Sequence, residues 1–110
     1  MTKTPADLIY GTIDLLVLKS LSWKEMHGYA ISSWLRERSG GTLEVDDAAL
    51  YKSLHRLEEQ GAIGSQWGIS ENNRKAKYYH LATPGRRRLK AERVAWRAYA
   101  LAVSRILRIA

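Results

Sequence analysis

The stretch "DDAALYKSLHRLEEQG" holds Lys52, with His55 and Arg56 three and four residues further on. On a helix that spacing gathers all three on one side. A second set, Asn72, Asn73, Arg74, Lys75 and Lys77, crowds the tip of "WGISENNRKAKYYHL", with no acid after Glu71 in that stretch. Ammonium, guanidinium and amide groups of this kind donate to phosphate oxygens and, from a helix in the major groove, to base edges. Tyr51 flanks the helical set. It suits either a packed ring with its hydroxyl at the surface or a donor to phosphate. Arg56 suits a guanine edge or a phosphate equally well. Catalysis has no comparable residues. There is no Cys, no nucleophile elbow and no glycine-rich phosphate loop, and the acids are scattered. His27, His55 and His80 stand in three separate segments without a thiolate, so neither a metal site nor a cofactor is expected.

Bulk properties agree. The 110 residues are enough for one small domain and little more. Lys and Arg number 18 against 11 Asp and Glu, a formal charge of +7. Such an excess attracts polyanions, nucleic acid first and an anionic membrane surface second. The absence of Cys suits a reducing compartment, and "MTKTPADLIYG" offers no signal-peptide core, so a cytoplasmic protein is expected. No run approaches the roughly 18 apolar residues of a membrane span.

The elements that position these residues follow from periodicity. "LIYGTIDLLVLKSLS" (8–22) predicts a helix that is apolar nearly all round, including Leu8 and Leu15, and therefore in need of more cover than one small layer supplies. "HGYAISSWLRERSGG" predicts a second helix through Ala30, Ile31, Trp34 and Leu35, stopped by Gly40 and Gly41, with His27 capping or packing at its start. "TLEV" reads as a short extended segment. "DDAALYKSLHRLEEQG" then predicts a helix capped by Asp46 or Asp47, buried through Leu50, Leu54 and Leu57 and ended by Gly61. Its outer face holds Ala48, Lys52, His55 and Glu59. Ile63 to Ile69 and Lys77 to Leu81 alternate as two strands of a hairpin whose loop is the basic tip. Trp23, Trp34 and Trp67 are expected to pack the core of this unit.

"TPGRRRLKAERVAWRAYALAVSRILRIA" predicts one long helix, with Thr83 as N-cap and Pro84 at the first position. Leu89, Trp96, Val103 and Ala110 fall seven apart, and Ala100 and Leu107 add a second seam. A coiled-coil-like stripe of about four heptads exceeds what this domain can cover, so a second copy of the chain is expected on it. Trp96 either fills that seam or faces its twin across a cavity, where two rings would sandwich a flat effector. Arg86, Arg87 and Arg88 oppose the helix dipole. DNA, a partner's carboxylates or ordinary surface charge each fit them.

The order is helix, helix, short strand, helix, strand, basic loop, strand, long helix. It predicts a mainly α (α+β) chain: a winged helix-turn-helix over 1–82 and a C-terminal dimerisation helix over 83–110. Together "LLVLKSLSWKEMHGYAISSWLRERSGG", "LYKSLHRLEEQGAI" and "SENNRKAKYYHLATPGRRRL" resemble the PadR-like family of bacterial transcriptional regulators, in its short subfamily, across residues 8–89. The resemblance implies a homodimeric repressor on a palindromic operator, with the Leu50–Leu57 helix in the major groove and the hairpin tip on the backbone or minor groove. It also implies a C-terminal helix exchanging contacts with the partner's first helix, and a small hydrophobic or phenolic effector in several relatives. The chain departs from the family where a Gly-Ser/Thr pair and a Pro are usual, having Ala48, Ala49 and Lys52 there. A phosphate-binding hydroxyl is thus replaced by a cation on the same face. The rival reading is an architectural or protein-interaction module that binds nucleic acid only non-specifically.

Overall fold

The computed structural model describes residues 11–109. Helix α1 spans Ile13–Trp23, strand β1 Met26–His27, α2 Gly28–Arg38, α3 Asp47–Glu59, β2 Ile63–Ile69, β3 Lys75–Leu81 and α4 Thr83–Leu107. The strands form an antiparallel sheet in the order β1-β3-β2, with Met26 opposite Tyr79 and Ile63 opposite Leu81. Helices and a small sheet thus build the expected α+β winged helix. Leu8 and Ala110 lie outside the described residues.

Two local expectations are corrected. Residues 42–45 form no strand; the third strand is β1, two residues long and too short to show any alternation in sequence. Leu43 and Val45 turn inward from an irregular segment, held where the Leu43 N–H donates to Ser39 Oγ at 2.9 Å. Thr83 is also not the cap of α4: it is already helical, the cap position is Ala82, and Pro84 follows within the first turn. Proline is tolerated there because those N–H groups have no partner within the helix.

The core is one cluster, with Val17, Leu18, Ile31, Leu50, Leu54 and Leu57 at its centre and Met26, Ile63, Tyr79 and Leu81 closing it from the sheet. α1 packs on α2, α3, α4 and β3. Its apolar circumference is therefore largely met within the protomer, with Leu15 and Leu16 half-buried at its edge. Gly85 sets how α4 starts. A Cβ there would lie 2.0 Å from the Ala62 carbonyl oxygen. That oxygen also accepts the Ala82 N–H at 3.0 Å. Only glycine lets the helix leave flush against the turn after α3.

Leu89 marks where α4 stops being core. It is buried in the protomer's own cluster, which corrects its assignment to an outer seam. Beyond it Val94, Trp96, Tyr99, Leu101, Ile106 and Leu107 are exposed, while Ala100 and Val103 are half-buried. No helix among the described residues is long and apolar enough to cross a membrane.

Candidate nucleic-acid interface

Helix α3 begins where Asp46 Oδ1 accepts the Ala49 N–H at 2.8 Å, satisfying one of the free amides of its first turn. Leu50, Leu54, Leu57 and Ser53 are fully buried, which turns Ala48, Tyr51, Lys52, His55, Arg56 and Glu59 to the surface as the periodicity predicts. The wing turn between β2 and β3 is closed by the Ser70 N–H on Arg74 O at 2.8 Å and the Asn73 N–H on Ser70 O at 2.9 Å. Asn73 takes φ 58°, a left-handed conformation that asparagine adopts more readily than most residues. The loop therefore holds Asn72, Asn73, Arg74 and Lys75 outward, all exposed.

The predicted contact residues are not equivalent. The Arg56 guanidinium is turned onto its own chain, with Nη2 2.6 Å from Asp14 Oδ1 and Nε 3.1 Å from Oδ2. Its fork is engaged on both oxygens of a carboxylate of its own chain, although the side chain stays 45% exposed. The same carboxylate accepts Ser53 Oγ at 2.7 Å and Arg88 Nη2 at 3.3 Å. Arg88 further reaches Gln60 Oε1 at 2.6 Å and pairs with Glu92. Asp14 on α1 thus joins α3 to the first turns of α4. Burial pushes the Asp14 carboxyl up, but the hydrogen bonds from Arg56 and Ser53 and the charges of Arg56 and Arg88 outweigh it and hold the group below its ordinary value.

Two further cations are shared. His55 Nε2 lies 2.6 Å from Glu59 Oε1, an open pair on the helix surface. Lys77 Nζ lies 3.2 Å from Glu58 Oε1, and Ser65 bonds the same carboxylate. The Ser65 hydrogen bond, and behind it Lys77, lower the Glu58 pKa. Lys52, Arg74 and Lys75 form no ion pair among the described residues. Lys75 Nζ instead rests 5.0 Å from the centre of the Trp67 ring.

The N-terminus of α2, α3 and the wing enclose a cleft of about 970 Å³, lined among others by Lys24, Tyr29, Tyr51, Trp67, Arg74 and Lys75. Tyr51, Asn72, Arg74, Lys75 and Lys77 meet there; Lys52, His55 and Asn73 do not line it. Tyr51 reaches it by lying across Gly28, where an added Cβ would stand 2.8 Å from its hydroxyl. Sequence reasoning missed Lys24, Tyr29 and Trp67. Tyr29 is 75% exposed and Trp67 63%, so Trp67 packs no core, and Trp23 is exposed as well. Trp34 is half-buried against the core, as predicted in kind. A run of aromatics beside lysines was legible, but its exposed face was not.

His27 Nδ1 accepts the Ala30 N–H at 3.1 Å and caps α2. No three His, Cys, Asp or Glu side chains converge on a possible metal position among the described residues. Trp96 lies 5.9 Å from Tyr99 between ring centres and does not line the cleft.

A recognition helix, a basic wing and an open cleft between them define a winged-helix DNA-binding protein. Residues 17–91 match the Transcriptional regulator PadR-like family. The chain belongs to that family, and it is a DNA-binding transcriptional regulator rather than an enzyme. It is similar to an uncharacterized protein of Lysinibacillus sphaericus, 30% identical over 81 residues that make up 74% of each chain. Among solved structures it is similar to a transcriptional regulator from Clostridium thermocellum, with TM-score 0.81, 26% identity, and 91% of this chain and 94% of that one covered. A PadR family transcription regulator from Clostridium difficile is 28% identical with TM-score 0.76, covering 88% of this chain and 99% of that one. One from Eggerthella lenta is 28% identical with TM-score 0.78, covering 94% of this chain and 88% of that one.

Proposed function

We propose that the protein is a repressor that binds a palindromic operator as a homodimer. Lys52 on α3 and Arg74 and Lys75 on the wing carry the reading, because they are exposed cations without an ion pair among the described residues. Lys52 approaches the major groove. Asn72, Asn73, Arg74 and Lys75 track phosphates, and Tyr51 donates its hydroxyl from the cleft wall. His55 and Lys77 join once DNA draws them from Glu59 and Glu58. Arg56 acts through Asp14 by holding α3 in place.

The winged unit is residues 1–82 together with the first turns of α4, and the dimerising part of 83–110 begins beyond Leu89. Trp96, Ala100, Val103 and Leu107 meet a second copy, with Leu15 at the margin. That apolar stripe supports the reading because exposed contiguous apolar surface of this kind marks an association site. Two recognition helices related by a two-fold axis then read half-sites about one helical turn, or a multiple of it, apart. A small aromatic or hydrophobic effector held between the two Trp96 rings would shift that spacing and release the DNA.

Selection of bound sequences from a random duplex pool tests the proposal. A two-fold symmetric sequence is the expected result. Affinity that is equal for the selected and scrambled sequences at fixed salt would instead mark a non-specific architectural protein.

A further inference from the structure

Four cations of α4 are used by nothing described above. Arg86, Lys90, Arg93 and Arg97 are exposed and line a shallow groove of about 400 Å³ with Ser22 and Leu81. At about 100° per residue they fall within roughly 60° of one another around the helix axis. Arg88 points the opposite way, toward Asp14 and Gln60. The stripe therefore runs along the side of α4 turned away from Asp14 and Gln60, for roughly 16 Å.

None of the four forms an ion pair among the described residues, whereas Arg56, Lys77, Arg88 and His55 all do. From Arg86 to Arg97 the chain holds six cations and one acid, Glu92, and Arg88 already engages that acid. Like charges three and four residues apart destabilise a helix, and cations in its first turn oppose its dipole. An anion lying along the stripe would remove both penalties. A single phosphate is too small for that length. Duplex DNA carries one charge per about 1.7 Å of its axis, and guanidinium forks match phosphate oxygens in geometry. A membrane surface fits less well, because only Val94 among the groove residues is an exposed apolar side chain.

We propose that this stripe is a second duplex-binding surface. It holds the phosphate backbone of a DNA segment other than the one docked on α3 and the wing, so that one molecule bridges two duplexes.

The test uses the full chain, an immobilised duplex carrying the protein's own promoter sequence, and a fluorescent random-sequence duplex added second. The unchanged protein should retain the second duplex. The variant R86Q/K90Q/R93Q/R97Q should retain it about tenfold less or worse, with binding to the immobilised duplex changed less than about twofold. Helical circular dichroism checks folding, and R93Q/R97Q, further from the core, repeats the test with a smaller loss. Unaltered retention by these variants overturns the proposal. So does a change of oligomeric state in sedimentation, which would mean that a second copy covers the stripe. Tighter binding to phosphatidylserine vesicles than to duplex at equal salt also overturns it. Failure of the operator reading looks different, since K52A/R74A/K75A would then leave the first capture unchanged.

Discussion

The joint around Asp14 and the cleft beside the wing are both polar, and they treat charge in opposite ways. At the joint one carboxylate gathers Ser53, Arg56 and Arg88, and every group has a partner in its own chain. Along the cleft Arg74 and Lys75 face outward without an ion pair among the described residues, although Glu37 and Glu71 line the same cleft, beside exposed Tyr29 and Trp67. Charge that is satisfied internally fixes the relation of α1, α3 and α4. Charge left open is available to phosphate. The two cations of α3 separate on this line: Arg56 belongs to the joint and Lys52 to the open face.

The sharpest way to break this contrast is to neutralise the open side. Changing Lys52, Arg74 and Lys75 together to Ala should weaken duplex binding roughly a hundredfold and flatten the slope of log affinity against log salt by about 2.7. Unfolding free energy should move by no more than about 0.5 kcal/mol. An unchanged salt slope would remove these side chains from the interface.

The converse substitution is Asp14→Ala. It leaves the Ser53 hydroxyl buried without its acceptor and the Arg56 guanidinium unpaired, while Arg88 keeps Gln60 and Glu92, and should destabilise the fold by about 2 kcal/mol in urea. A loss of stability below about 0.5 kcal/mol would show that the joint holds nothing. Arg56→Lys sharpens the point, since an ammonium cannot span both carboxylate oxygens. It should lose part of that stability while keeping the salt slope.

Acid should act on the joint in one direction. The Asp14 pKa is depressed in the folded state, so its contribution is complete above the ordinary carboxylate value of 3.8 and is lost as pH falls through the lowered value. Asp14→Asn should therefore show a shallower fall in stability on acidification than the parent chain. The smallest effect is expected from His55→Ala, because the pair with Glu59 is largely open to water. It should shift stability by less than about 0.5 kcal/mol.

Much of this arrangement was legible in the residues. The Leu50, Leu54 and Leu57 stripe placed Lys52 and His55 outside, because a helix repeats every 3.6 residues wherever it is put. The Asn-rich tip between two alternating runs gave the wing. The capping role of His27 was also foreseeable from its place before Gly28 and the apolar run that follows. Trp67 misled, since alternation shows that a strand has two faces without saying which one is covered.

What the sequence by itself determined is therefore the helices, the hairpin and the basic outer faces, because these follow from periods of two and 3.6 and from turn residues; the two-residue β1 has no such signal. Only the tertiary structure decided that Arg56 meets Asp14, 42 residues away in the chain, that Leu89 is spent on the protomer's core, and that Tyr29 and Trp67 wall the cleft. Those are pairings between elements. A guanidinium attracts phosphate and carboxylate alike, and which it meets depends on the packing that brings one of them within about 3 Å.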